Sequence, residues 1–131
     1  MNHTIVHFEI PADDVEKLRN FYSKLFDWKI EKVPGPMDYW LISTVPTDES
    51  GIPKEQGVNG GMMKRQDPKQ IVTNFISVES VDEYSRKVQK LGGRVMVPKQ
   101  EVPKIGYFAL CGDPEGNVFA LWEESSGTEA R

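Results

Sequence analysis

Between Ile5 and Ile10 the chain alternates: Val6, Phe8 and Ile10 fall on one face, Ile5, His7 and Glu9 on the other. A period of two predicts a strand with Val6, Phe8 and Ile10 toward a core, which sets an imidazole and a carboxylate side by side on the opposite face. Pro11 has no N–H for the ladder and is expected to end the strand. The period then changes. Val15, Leu18, Phe21, Tyr22, Leu25 and Phe26 recur at helical spacing, one broad apolar stripe that predicts a core-packed helix containing Phe21 and Tyr22. Asp13 or Asp14 is its expected N-cap, and Glu16 suits its first turn. Strands are predicted over Trp28–Val33, Tyr39–Thr44 and Val58–Arg65, with a turn at Pro34-Gly35-Pro36 and a polar loop over 45–57. The glycines of the last strand, Gly60 and Gly61, imply that something approaches its backbone closely.

The same grammar then returns. Displaced by 66 residues without a gap, Ile5 meets Ile71, Val6 meets Val72, Ile10 meets Ile76, Val15 meets Val81, and Lys24-Leu25 meet Lys90-Leu91. A strand over Ile71–Val78 and a helix over Val81–Leu91 follow, the helix with a stripe of Val81, Tyr84, Val88 and Leu91. Gly92-Gly93 marks the helix end, because a left-handed residue there suits glycine. Strands over Arg94–Val97, Gly106–Cys111 and Asn117–Glu123 complete the half, with a loop over Pro98–Lys104. Asp113-Pro114-Glu115-Gly116 is a type I turn by composition. The fold class is therefore α+β, two βαβββ modules of curved, mostly antiparallel sheet around a cavity. The modules span 3–65 and 71–124, with 66–70 as linker and 125–131 as a flexible tail. Duplicated units place the expected site between halves.

Bulk properties narrow the function. A chain of 131 residues is one domain's worth, and its net charge of −4, with Lys and Arg spread along it, is not the footprint of a nucleic-acid binder. Apolar runs are far too short for a membrane span, and MNHTIVHFEI lacks the charged-then-apolar pattern expected of a signal peptide. A single cysteine, Cys111, excludes an internal disulfide and fits a reducing cytoplasm. It lies in the apolar run YFALC and reads as a packed thiol. GVNGG lacks the strand-to-helix setting and the lysine of a phosphate loop.

The stretches VHFEIPADDVEKLRNFYSKLFDW and DPEGNVFALWE, with GVNGGMM and SVESVDEYSRKVQKLGG between them, resemble the vicinal oxygen chelate superfamily, also called the glyoxalase/bleomycin resistance/dioxygenase superfamily. The resemblance covers about Ile5 to Glu123. It implies paired βαβββ modules around a cavity, in cytoplasmic proteins that bind small molecules and form homodimers. Metal-using members hold a divalent cation with residues of the first and last strands. The family's first-strand histidine falls on His7. The corresponding second-half position is Thr73, the final-strand glutamate position is Ala120, and the matching first-half strand offers Gly60, Gly61 and Met62. Neutral Thr, Ala, Gly and Met are poor ligands for a hard or borderline cation. No metal cofactor is therefore expected, with His7 the only matching ligand position. His3, the other histidine, lies in a segment expected to be mobile.

His7 and Glu9 remain as the catalytic candidates, the carboxylate expected to raise the imidazole pKa and orient its ring. Thr73, Phe75, Ala120 and Trp122 alternate onto expected cavity faces, and Met62 joins them. Tyr39 and Trp40, like Tyr107 and Phe108, are pairs of which one member faces the cavity. Parity does not decide which, and Trp40 and Tyr107 are assigned to it. The expected function is small-molecule binding in a cavity without the family's metal. The alternative is a metal-dependent lyase or dioxygenase of glyoxalase type with a nonstandard site. A third reading is an interaction module whose sheets only dimerise.

Overall fold

The elements of the computed structural model, which describes residues 2–47 and 55–125, follow the repeated pattern. They are β1 (Ile5–Ala12), α1 (Val15–Phe26), β2 (Lys29–Lys32), β3 (Tyr39–Ser43) and β4 (Gly60–Lys64), then β5 (Thr73–Ser77), α2 (Val81–Lys90), β6 (Arg94–Val102), β7 (Gly106–Gly112) and β8 (Val118–Glu124). One unit comprises His7–Val72. The other comprises the described residues from Thr73 onward with those preceding His7. In the first the strand order is β2-β3-β4-β1, antiparallel except for the parallel β4–β1 pair. In the second the order is β6-β7-β8-β5, again antiparallel except for the parallel β8–β5 pair. Each is a mixed four-stranded sheet of the same connectivity, which makes the repeat real in topology. The helices start at Val15 and Val81, 66 residues apart as the displacement predicts.

The first unit's core is Ile10, Ala12, Ile30, Ile42 and Met62, with Phe8, Val15, Leu18, Tyr22, Trp28 and Trp40 packed on it. Asp14 is the N-cap of α1, its carboxylate accepting from Lys17 N at 3.1 Å. Asp13 instead pairs with Arg65. Arg19 fastens the helix to β2 by donating to Ile30 O from Nε (3.1 Å) and Nη2 (2.6 Å). The predicted stripe is only partly used. Val15, Leu18 and Tyr22 meet the sheet, but Phe21 is 56%, Leu25 57% and Phe26 53% exposed, so Phe21 is not core. Phe21 lies off the Val15–Leu18–Tyr22 line. Leu25 and Phe26 occupy the last turn before Asp27 ends the helix at φ 59°. Phe26 packs sideways on Trp28 instead, ring centroids 5.2 Å apart.

Pro11 does not end β1, which continues to Ala12. Arg65 N donates to Ala12 O, so residue 12 turns its polar groups to β4 and Pro11, one residue earlier, turns its own away. The missing N–H is therefore not one that β4 needs. Asn59 gathers the near ends of the 45–57 loop, its Oδ1 accepting from Thr44 N (2.7 Å) and Val45 N (3.1 Å). Residues 48–54 of that loop lie outside the described residues, as does the tail beyond Ser125.

In the second unit Val78, Val81, Ala109, Cys111 and Leu121 are buried against Tyr84, Val88, Val95, Tyr107 and Phe119. Cys111 is a packed thiol, and burial raises its pKa. β5 begins at Thr73, leaving Ile71 and Val72 exposed. β6 runs through Pro98, where a loop was expected, because register shifts between Val95 and Gln100 absorb the proline. The Asp113 turn closes with Gly116 N donating to Asp113 O, and the Asp113 carboxylate accepts from Glu115 N and Asn117 N. His3, expected to be mobile, is held at Glu79 Oε1 (3.0 Å) and Tyr84 Oη (3.1 Å).

Helix α2 has a double N-terminal stop. Ser80 caps it from within the chain, and Glu123 of β8 accepts from Val81 N at 2.8 Å. A carboxylate there satisfies an orphan donor and faces the positive end of the helix dipole. Glu123→Ala is expected to lower stability by about 1–2 kcal/mol, measured by urea unfolding at neutral pH. An unchanged midpoint would show that water replaces the carboxylate at no cost.

Candidate functional site

In the first unit the residues of β1, β3 and β4 sort onto two faces by register. Trp40 pairs with Met62, and Met62 with Ile10, which places all three with the helix-side core. Glu9 pairs with Gly61 and Gly61 with Leu41, and His7, two residues before Glu9, shares their face. That face carries no helix of its own unit. Its third member is Tyr39, whose ring lies across Gly61. A Cβ built on Gly61 would stand 1.8 Å from Tyr39 Oη and 2.1 Å from Cζ. The close approach implied by the glycine is thus made by the chain's own tyrosine, and the absence of a side chain at 61 is what lets that ring lie flat.

From that position the Tyr39 hydroxyl joins the two sequence-predicted candidates. It donates to Glu9 Oε2 at 2.9 Å and lies 2.8 Å from His7 Nε2. The His7 and Tyr39 rings are stacked with centroids 6.5 Å apart and planes at 16°. All three groups are half-buried, and the shifts of their pKa values follow from that. Burial lowers His7 to about 4, making it neutral at pH 7. Burial raises Glu9, opposed by its bond from Tyr39. Burial, then the charge and hydrogen bond of Glu9, raise Tyr39 far above its ordinary value. The expectation that Glu9 raises the His7 pKa is corrected: the carboxylate reaches His7 only through a neutral hydroxyl, and desolvation of the imidazolium dominates.

The remaining predicted site residues divide between faces. Trp40 and Met62 lie in the first core, so in the first pair Tyr39, not Trp40, is the member on the His7 face. In the second unit Tyr107 packs on the α2-side cluster, with Lys99 Nζ 4.5 Å above its ring. Phe108 is on the opposite face, 6.2 Å from the Phe75 ring. Phe75 pairs with Ala120 and Phe108 with Trp122, which puts Phe75, Ala120, Phe108 and Trp122 on that helix-free face. Thr73 shares the Phe75 parity and is 8% exposed, and Ala120 is fully buried. Register against the neighbouring strand chooses between adjacent aromatics, and in the first unit its trace in the sequence is Gly61, opposite Leu41. Among the described residues no three His, Cys, Asp or Glu side chains converge as metal ligands.

Two βαβββ units of identical connectivity, one with a hydrogen-bonded His–Tyr–Glu chain on its helix-free face, define a paired-module α+β protein. The chain belongs to the Glyoxalase/Bleomycin resistance protein/Dioxygenase superfamily, whose sequence profile matches residues 4–121. It is 25% identical over 126 residues to the anthracycline biosynthesis protein DnrV of Streptomyces peucetius, covering 89% of this chain and 46% of DnrV. The chain thus spans just under half the length of that relative, and 43% of the putative glyoxylase CFP32 of Mycobacterium tuberculosis, to which it is 25% identical over 115 residues and 88% of its own length. Among solved structures, methylmalonyl-CoA epimerase from Mycobacterium tuberculosis aligns over 97% of this chain and 91% of its own, with a TM-score of 0.66 and 13% identity, a likeness of fold. No described helix is long and apolar enough to cross a membrane.

Proposed function

We propose that this chain binds a small organic molecule on the helix-free face carrying His7, Tyr39 and Glu9, and does so without the family's catalytic metal. The observation that carries this reading is the place of the Tyr39 hydroxyl, 2.8 Å from His7 Nε2 and 2.9 Å from Glu9 Oε2. It stands where a cation shared by those two side chains would stand. Neither Thr73 nor Ala120 offers the further ligands a divalent ion needs. A half-buried, hydrogen-bonded polar group beside apolar Leu41 and Met63 is the composition of a recognition surface. DnrV is named for anthracycline biosynthesis, which makes polycyclic aromatic compounds a reasonable first set of ligands for this chain. A homodimer in the cytoplasm belongs to the same proposal and rests on the family resemblance.

A second reading, a metal-dependent lyase or dioxygenase with a nonstandard site, is favoured by His7 standing at the family's first-strand histidine position. Elemental analysis separates the two. Protein purified without added metal, then incubated with zinc, nickel, manganese and iron and desalted, is expected to carry clearly substoichiometric metal. Stoichiometric metal that disappears in His7→Ala would replace the first reading by the second. A thermal-shift screen then tests binding, since a ligand preferring the folded state raises the melting temperature. Failure of any polycyclic or smaller aromatic to raise it would count against the binding function.

A further inference from the structure

We infer that the outer flank of α1 is where a second copy of this chain docks, the two α1 helices lying antiparallel with Phe21 and Leu25 at the centre of the contact. The inference rests on the homodimer proposed above and names its interface.

The internal repeat supplies a reference for a helix face that meets only water. Displaced by 66 residues, Lys17, Phe21 and Asp27 of α1 stand where the second half carries Glu83, Lys87 and Gly93. In α2 the first two of these make an ordinary solvated face. Glu83 lies in the first turn and Lys87 in the last, and they pair at 3.9 Å. The first half departs from that pattern at all three positions. Phe21 and Leu25, one turn apart on α1, are both more than half exposed and make a contiguous apolar patch. The patch has a firm backing. The Phe21 ring stands edge-on to Tyr22 at 5.2 Å, and the Tyr22 ring stacks on Trp28 at 5.3 Å. A patch held in place before docking has little side-chain entropy left to lose.

The charges identify what covers it. Lys17 lies in the first turn of α1 and Asp27 is its C-cap. The helix dipole is positive at the first and negative at the second, so each charge sits at the end that disfavours it. Neither side chain has a hydrogen-bonding or ionic partner among the described residues. Glu16 and Lys24 do follow the dipole, and Glu16 is taken by Arg19. Lys17 and Asp27 stand about 15 Å apart along the axis, with Phe21 and Leu25 between them. Turning a second α1 end for end brings Lys17 of each copy toward Asp27 of the other, with the apolar residues of both in the middle. Both misplaced charges are then matched, and each positive helix end lies beside a negative one. This reciprocity is what a twofold contact requires, and a parallel pair would oppose like charges instead. Because α1 is only about 18 Å long, the contact is smaller than a standard interface and the dimer dissociates on dilution.

Sedimentation equilibrium of the full chain at pH 7, from about 5 to 500 µM, is the test. Wild type is expected to pass from monomer to dimer across that range. Phe21→Lys installs the residue type that α2 carries at the matching, exposed position. It is expected to weaken the dimer at least about tenfold, with the melting temperature of dilute protein unchanged. Lys17→Glu and Asp27→Lys, each alone, set like charges together at both ends and are expected to stay monomeric. Lysine is compatible with the backbone at residue 27, since Lys104 already adopts φ 70° against 59° at Asp27. An equimolar mixture of these two variants restores opposite charges at both ends and is expected to dimerise. A wild-type dimer that Phe21→Lys leaves unchanged overturns this interface while the homodimer stands. A wild-type chain that is monomeric to the top of the range overturns both and leaves the face to a different protein. A mixture no more dimeric than its components overturns the antiparallel pairing.

Discussion

Gly61→Ala is expected to lower stability by about 2–6 kcal/mol and to dismantle the His7–Tyr39–Glu9 chain. Strand propensity alone gives the opposite sign, since replacing glycine by alanine in a strand normally recovers about 0.5–1 kcal/mol of backbone entropy. Geometry decides against propensity. The new Cβ would stand 1.8 Å from Tyr39 Oη, 2.1 Å from Cζ and 2.6 Å from Cε2, so the phenol ring has to leave the face of β4. It cannot do so and keep bonds of 2.8 and 2.9 Å to His7 and Glu9. The loss combines overpacking, about 1–3 kcal/mol, with half-buried partners left without their hydroxyl, about 1–3 kcal/mol. Urea unfolding measures it, and a double-mutant cycle assigns it. In a Tyr39→Ala background the same substitution is expected to cost less than about 1 kcal/mol, because the clash and the bonds are already gone. A loss of similar size in both backgrounds would place the strain in the β4 backbone instead.

The second large effect is an acid limb owned by His7. Its folded pKa is lowered from 6.5 to about 4 by burial. The unfolded chain therefore binds the extra proton first as pH falls. The contribution is fully present above pH 6.5 and is lost as pH drops toward 4, by about 3 kcal/mol across that window. Glu9 acts with the opposite slope. Its raised pKa makes the folded state the better proton binder above 4.5, so its contribution weakens as pH rises through the folded value. The lowered carboxylates Glu79 and Asp113 lose their share only as pH falls through their own depressed values. His7→Gln isolates the histidine, because glutamine donates to Tyr39 without titrating. Unfolding free energies at pH 7, 5.5 and 4 are expected to fall more steeply in wild type than in His7→Gln, by about 3 kcal/mol over the range. Parallel curves would mean that His7 titrates near its ordinary value and that the face is open to water.

Much of the architecture was legible in the residues. The 66-residue displacement located both helix starts, Asp14 and Ser80 stand at equivalent caps, and the Asp113 turn closes as its composition predicts. These are local signals, set by the period of apolar residues and by side chains that bond their own backbone. The misreadings share another cause. Pro11 and Pro98 lie inside strands because the direction of a missing N–H, or a bulge beside it, depends on the neighbouring strand. Phe21 has the spacing of a core residue but lies off the line that meets the sheet. His3 is anchored by Glu79 and Tyr84, 76 and 81 residues away, contacts no local pattern encodes.

The candidate site shows the same division. His7 and Glu9 share a face because residues two apart in any strand do, so the sequence by itself determined that pair, along with the duplicated βαβββ order and the superfamily. The family resemblance carried by the sequence also implies that Thr73 and Ala120 occupy the family's ligand positions. Tertiary structure alone decided that Tyr39 rather than Trp40 joins His7 and Glu9, and that Phe108 rather than Tyr107 lies with Phe75. Adjacent aromatics in a strand differ only in parity, and parity acquires meaning only once register against β4 or β8 is set. Tertiary structure also reversed the direction of the His7 shift. Proximity to a carboxylate is visible in a sequence, but desolvation is a property of everything packed around the ring, and here it is the larger effect.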